Sequence, residues 1–474
     1  MPHTGKKTLK KPILPKPAAV VIKASHSYIK SFPLPVWLLV CATFVESMGR
    51  FMVVPYLSLY MRSEGVDLGT LGLVLGAAPI ANVVFGAWGG HLSDRLGRKP
   101  IQILGVSISG LSMFGFAFAG ANPLVLALLN FMNGMTRTFY RPATSAALSD
   151  HCPAKLRSEA FALNRIAINV AYGLGPILGV AIFQTHPLYG FIIAGSINLL
   201  VGLFIAITIP ESAPGVLAAP RVMAAPGEKT KVTRTGTLAA TLQPGAAQTR
   251  TAAAAVPPAA ITLQTAATSA QTAATLTSQP AQPAWKVILK DGGFWIWTAG
   301  MMLVWGSYDL IQSFLPLHLQ SAGISLWVYS AILACNAVIC VLVQLPVSRL
   351  LRTAPFAFSA GFSKLAFAAG FIGFALLRSP ALLIAAMLIL SLGEVWGSAV
   401  QVRYIPEHVH PSLLGRYMGL SMVSELGRAI AAPAAGFLMA AFGGPAVFFM
   451  AAALAAGGGV LLYLAGKAQD SRRP

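Results

Sequence analysis

The stretch Gly90-His91-Leu92-Ser93-Asp94-Arg95-Leu96-Gly97-Arg98-Lys99 gathers charge at one point of a chain that elsewhere carries little of it. Apolar segments flank it on both sides, at 69–91 and 100–120, each long enough to cross the ~30 Å core of a bilayer. A soluble protein scatters its charges over a surface. Here they fall in one short loop between two candidate membrane spans.

Composition extends that reading to the whole chain. Its 474 residues are 56% hydrophobic and 10% charged, with a mean hydropathy of +0.69. Soluble domains carry about 25% charge, so a soluble fold of this size would lack polar side chains for its surface. Twelve segments read as spans: 35–61, 69–91, 100–120, 123–149, 158–184, 188–210, 292–319, 326–349, 355–377, 380–404, 414–440 and 444–466. Residues 1–34 are basic and polar and contain no apolar run of the signal-peptide kind.

The net charge of +20 invites comparison with nucleic-acid binders, but its placement argues otherwise. Cations crowd the N-terminal tail and every second loop, at Arg95, Arg98 and Lys99, at Lys155 and Arg157, at Lys286 and Lys290, at Arg349 and Arg352, and at Arg416. The intervening loops are short and nearly uncharged, apart from Arg62 and Arg378. This is the positive-inside asymmetry, which predicts a multi-pass cell-membrane protein with both termini cytoplasmic and excludes a nucleic-acid partner. Cys41, Cys152, Cys335 and Cys340 show neither a disulfide framework nor metal-ligand spacing.

The chain divides into a tail at 1–34, a six-helix half at 35–212, a linker at 213–284, a second half at 285–466 and a tail at 467–474. The linker is rich in Ala, Thr, Pro and Gln and repeats Gln264-Thr-Ala-Ala-Thr268 as Gln271-Thr-Ala-Ala-Thr275, so it reads as disordered. The halves repeat each other. Leu57–Val66 (LSLYMRSEGV) aligns with Leu315–Ile324 (LPLHLQSAGI), and Gly175-Pro-Ile-Leu-Gly179 with Ala432-Pro-Ala-Ala-Gly436 at nearly the same offset, with Asp150 opposite Glu407. The expected fold is therefore an all-α integral membrane protein, with about twelve transmembrane helices in two pseudo-symmetric six-helix halves around a central cavity.

In that setting the pattern G-x-x-x-D-R-x-G-R-K at 90–99 resembles the signature loop of the major facilitator superfamily of secondary transporters. Gly90 would let a neighbouring helix approach closely. Asp94 would favour a helix N-terminus, and Arg95 and Arg98 would pair with Asp150. The resemblance implies that Gly90, Asp94, Arg95, Gly97, Arg98, Lys99 and Asp150 form a latch between the halves. Fixing topology is an alternative role for the same cations. The second-half counterpart, Val347-Ser-Arg349-Leu-Leu-Arg352, lacks the acid.

Ala171-Tyr-Gly-Leu-Gly175-Pro176-Ile-Leu-Gly179-Val180 resembles the fifth-span motif of drug:proton antiporters, with Gly175, Pro176 and Gly179 intact and the outer glycines replaced. Proline can bend the helix and glycines can pack it against the other half; packing alone would also explain them. The fourth span has Phe131 where that branch has an arginine, and Arg137 or Arg141 can substitute.

Ionisable residues inside spans are costly and usually functional. Glu46 lies about eleven residues into the first span, roughly 17 Å deep at 1.5 Å per residue, with Arg50 one turn on. By the resemblance, the first, fourth, seventh and tenth spans line the cavity, which would bring Glu46, Arg137, Arg141 and Glu394 to it. Glu46, Glu394, Asp309 and Glu425 are the candidate proton carriers, because changing burial or a nearby arginine loads or releases a carboxylate proton. Structural ion pairing is the alternative for each, with Glu425 paired locally to Arg428; Arg165 has a local partner in Asn169. Arg50, Arg137, Arg141, Tyr140, Tyr308 and Trp396 are the candidate substrate contacts. Glu407-His408-Val-His410 lacks an i,i+4 His pair, and no metal, cofactor or enzyme motif is present. The expected function is proton-coupled export of amphipathic, drug-like small molecules by a monomer in the lipid bilayer. The alternative is a transporter of one defined metabolite, a sugar, amino acid or organic anion.

Overall fold

The computed structural model describes residues 32–213, 284–410 and 413–471, and those residues form helices joined by short turns, without a strand. The 1–31 and 214–283 stretches lie outside the described residues, and with them most of the tail and linker assigned from sequence. A separate small unit, 220–290, contributes one described helix, Ala284–Leu289.

The first half holds α1 (Leu34–Ser63), α2 (Leu68–Leu96), α3 (Arg98–Phe118), α4 (Pro123–His151), α5 (Arg157–Phe183) and α6 (Pro187–Thr208). The second holds α7 (Gly292–Ser313, followed by a short helix Leu315–Ser321), α8 (Leu326–Leu350), α9 (Phe356–Leu376), α10 (Pro380–His408), α11 (Leu414–Phe442, with a 3-10 turn at Met422–Glu425) and α12 (Gly444–Asp470). Prolines at the first turns of α4, α6, α10 and α12 fit there because a first-turn N–H has no helical partner to lose.

Ten of these helices are long and apolar enough to cross a membrane, against the twelve expected. The two that fall short are α4 and α7. α4 spends its positions on Asn130, Asn133, Arg137 and Arg141, and α7 on Trp, Tyr, Gly and Asp309. Both fall short because they carry polar, site-forming side chains. Elsewhere the burial pattern is that of a bilayer protein. Leu200, Leu203 and Ile207 face outward, while Glu46, Arg50, Lys364 and Arg428 are buried.

The internal repeat is written in hydrogen bonds. α1 ends with Val66 N–H on Met61 O and Gly65 at φ 90°; α7's continuation ends with Ile324 N–H on Leu319 O and Gly323 at φ 71°. Only glycine takes this left-handed step without strain, and it lets the last carbonyls of each helix be satisfied. Asp67 then caps α2 and Ser325 caps α8. After α6, Glu211 accepts from Arg98 N–H (2.8 Å) and Lys99 N–H (3.1 Å) at the start of α3. At the end of α12, Asp470 accepts from Phe356 N–H and Ala357 N–H, both at 2.9 Å, at the start of α9. Each half thus satisfies the orphan donors of its third helix with an acid at or just past the end of its sixth.

The two halves meet along α2–α11 and α5–α8. At the end of the bundle away from the basic loops, the backbones of α2 and α11 nearly touch. A Cβ at Gly72 would lie 2.5 Å from Ala432 O, and one at Gly76 2.8 Å from Ala429 O. Across α5–α8, Ser330 Oγ donates to Pro176 O (3.0 Å) and sits 2.9 Å from the Oη of Tyr56 on α1, which itself donates to Pro176 O (2.7 Å). These contacts close that end.

Candidate functional site

Between the halves lies a cavity with about 210 Å³ of water-accessible space. α1 supplies Arg50, Phe51, Val54 and Leu57; α2 supplies Leu75, Ala78, Pro79 and Asn82; α4 supplies Asn130, Asn133, Gly134, Arg137 and Arg141. α7 adds Trp305, Tyr308, Asp309, Gln312 and Ser313, and α11 adds Arg428. The wall is apolar with amides and guanidiniums set into it, which suits a solute with one apolar and one polar part.

Two of the cavity arginines are neutralised locally. Arg50 Nε is 3.4 Å from Glu46 Oε1, one helical turn away, and its guanidinium lies 4.4 Å from the Phe51 ring. Glu46 is 3% exposed and also accepts from Ser47 Oγ at 3.0 Å. Arg428 reaches Asp309 Oδ1 and Glu425 Oε2, each at 3.4 Å, and stacks 4.5 Å from the Trp305 ring. Arg137 and Arg141 have no such partner among the described residues.

A second pocket adjoins the first and shares Trp305 and Tyr308 with it. It is lined by Arg165, Lys364, Phe367, Glu394, Ser398 and Gln401 among others. Glu394 Oε2 accepts from Tyr308 Oη (3.0 Å) and Asn336 Nδ2 (2.9 Å). Lys364 is 2% exposed, with Nζ 4.3 Å from the Phe367 ring. Sequence reasoning passed over this lysine, although a lone cation inside the apolar run of α9 was the available signal.

Several expectations need correction. α2 lines the main cavity and α10 does not, so Glu394 faces the adjoining pocket and not the space shared by Glu46's partner Arg50 and by Arg137. Tyr140 is 1% exposed and packs among Val36, Leu39, Val40 and Val106, with its hydroxyl 3.5 Å from Thr43 Oγ1; it does not line the cavity. Trp396 packs on Phe362 and lines neither pocket. Arg165 donates to Gln344 across the halves at 3.1 Å, not to Asn169. Gly175 and Gly179 press against Phe51, Met52 and Tyr56 of α1 in their own half; Gly173 and the Pro176 carbonyl are what reach α8.

The 90–99 loop also departs from its expected wiring. Nothing lies within 4 Å of a Cβ built at Gly90, whereas one at Gly89 would collide with Thr138 O, so Gly89 permits the α2–α4 approach. Asp94 pairs with the Arg98 side chain, not with a helix N-terminus. Arg98 Nε is 3.3 Å from Asp150 Oδ2, as expected, and Nη1 donates to Ser93 Oγ at 3.3 Å. Arg95 and Lys99 form no ion pair among the described residues. The helix-terminal anion is Glu211. Burial alone would raise its carboxyl, but backbone N–H groups of Ala213, Arg98, Ser212 and Lys99 outweigh that and hold it below its ordinary value of 4.5. Gly97, at φ 110°, leaves room for this cap, since a Cβ there would sit 2.5 Å from Glu211 Oε2. All these partners belong to the first half. His408 of the 407–410 cluster is engaged by Asp291 Oδ2 (2.9 Å) and Gln469 Oε1 (2.7 Å).

The sequence profile of the Major Facilitator Superfamily matches residues 39–426. An uncharacterised transporter of that type from Bacillus subtilis (strain 168), YqjV, is 31% identical over 173 residues, 36% of this chain and 42% of that protein. A Na(+), Li(+), K(+)/H(+) antiporter of Planococcus maritimus is 29% identical over 36% of this chain and 41% of its own. The quinolone resistance protein NorA of Staphylococcus aureus (strain MRSA252) is 27% identical over 35% and 43%. The chain spans less than half the length of these relatives. The crystal structure of the nucleoside transporter NupG superposes with a TM-score of 0.65 at 16% identity, covering 93% of this chain and 100% of that one, a likeness of fold.

Proposed function

The chain belongs to the Major Facilitator Superfamily of transporters, and on that premise we propose that it exports amphipathic, drug-like small molecules across the cell membrane by proton-coupled alternating access. The observation that carries the proposal is the cavity between two repeated halves, closed at one end by backbone contact of α2 with α11 and walled by apolar side chains with buried charges. Relatives named for quinolone resistance and for cation/proton antiport favour an exchanger.

Coupling requires a carboxyl whose surroundings change as the halves rock. Glu46 and Glu394 suit this role best. Each is tied to partners on moving elements or adjacent to them: Glu46 to Arg50, which faces the cavity, and Glu394 to α7 and α8 through Tyr308 and Asn336. Asp309 and Glu425 share Arg428 and form the reserve pair. The cycle needs no partner subunit, and the basic end, with both termini, faces the cytoplasm. Gradient-driven transport beside gradient-free exchange tests the coupling. Glu394→Gln or Glu46→Gln should abolish the first and spare the second, because an amide cannot carry a proton. Full pH-driven transport in both variants would exclude both residues.

A further inference from the structure

Four arginines line the cavity, and three carboxylates pair with two of them. Arg137 and Arg141 are left over. They stand one turn apart on the same face of α4, so their guanidiniums can converge on one group. Neither makes a hydrogen bond or ion pair with another described residue, and both open onto the cavity. A lysine so placed can shed its proton; an arginine remains charged. Two fixed cations stacked in a low-dielectric setting repel each other, and the arrangement makes sense when an anion lies between them.

We propose that Arg137 and Arg141 form the acid-binding subsite of the cavity, and that the transported compounds are amphipathic organic monoanions. The assignment rests on the reading of this cavity as the substrate path. The charge class follows from the geometry of the site: Arg50 and Arg428 already face carboxylates, while Arg137 and Arg141, one turn apart, are left to converge on a single acid group. A carboxylate or sulfonate would accept from both guanidinium forks, whose planar donors match its oxygens. The apolar body would lie toward Phe51, Val54, Leu57, Leu75 and Trp305 on the wall beyond. Asn130, Asn133 and Gln312 offer amides to neutral polar substituents, which allows variety in the body while the acid group is fixed. The locally paired Arg50 and Arg428 are held back by their own carboxylates and serve this anion less well.

The experiment uses the full chain, purified and returned to vesicles, with three radiolabelled probes of one ring system: naphthoate, naphthamide and naphthylmethylammonium. Naphthoate should bind tightest and naphthylmethylammonium weakest. Arg137→Gln and Arg141→Gln should each weaken naphthoate by about tenfold or more, the loss of a charge-assisted bond. Naphthamide binding should stay unchanged, which also shows that the variants are folded. Arg141→Lys should recover only part of the loss, since a point charge lacks the fork. Naphthoate binding that is unaffected by either glutamine variant, or no tighter than that of the cation, would overturn the assignment. Flux separates this from the coupling proposal. Arginine-dependent naphthoate binding without any pH-driven flux would sink proton coupling and leave the subsite standing. pH-driven flux of the cation alone would sink the subsite and leave the exporter reading standing.

Discussion

Replacing Gly72 with Ala attacks the closed end of the cavity where the backbones of α2 and α11 nearly touch. The added Cβ would lie 2.5 Å from Ala432 O, 3.0 Å from Pro433 Cα and 3.2 Å from Ala432 C, all of them backbone atoms that cannot rotate away. Relief requires α2 and α11 to separate. Overpacking of this kind costs about 1–3 kcal/mol. The cost falls only on the conformation in which α2 and α11 touch, so it shifts the ratio of the two end states by about 5- to 150-fold toward the one open at this end. Gly86→Ala on the same helix is the control, since its nearest neighbour, Met422 Cγ, would be 3.8 Å away. Spin labels on cysteines at Ala121 and Ser379, exposed and at the same end of the two halves, report the separation once the four native cysteines are replaced. Gly72→Ala should populate a longer distance that the parent shows weakly, and Gly86→Ala should not. An unchanged distance distribution in folded Gly72→Ala would refute the claim that this contact closes the cavity.

Tyr56→Phe should act in the same direction more mildly, because it removes the hydroxyl that bonds Pro176 O and Ser330 Oγ; at about 0.5–1.5 kcal/mol per hydrogen bond the same labels should register it. Glu211→Gln should lower the melting temperature, and the gap between wild type and variant should close in acid. The sign follows from the depressed carboxyl: its stabilisation is fully present above 4.5 and is lost as the pH falls through the lower folded value. A gap that widened below pH 4.5 would reverse that assignment. Tags placed at the N-terminus, in the 213–284 linker and at the C-terminus should all report the cytoplasmic side, and an external tag at any of them would break the topology.

The fold was legible because its signals are local or periodic. The 90–99 loop is contiguous, the cation asymmetry recurs from loop to loop, and 57–66 matches 315–324 at a constant offset, a repeat that reappears as matching turns at Gly65 and Gly323. The site was legible in part. Glu46–Arg50 and Glu425–Arg428 are separated by one helical turn, and helical spacing alone pairs them. Partners distant in sequence were not readable. Glu211 sits 113 positions from Arg98 and Asp470 sits 114 from Phe356, so nothing nearby marks either as a cap. Gly90 looked like the contact glycine because the motif begins there, but helix rotation turns Gly89 toward α4. Tyr140 neighbours Arg141 in sequence, yet a step of one along a helix turns a side chain by about 100 degrees, which takes it from cavity to core. Phase, more than composition, limits such readings.

Proton coupling is the account's central claim, and flux under an imposed pH gradient tests it most directly. Wild-type protein in vesicles with an acidic lumen, given labelled naphthoate outside, should accumulate the compound against its own concentration gradient, and an alkaline lumen should not drive carrier-dependent uptake. Protons should move the opposite way, as followed by a trapped pH indicator. Collapsing the gradient with nigericin should return uptake to simple equilibration. Uptake of the same rate and extent with and without the gradient, with no accompanying proton movement, would contradict the account.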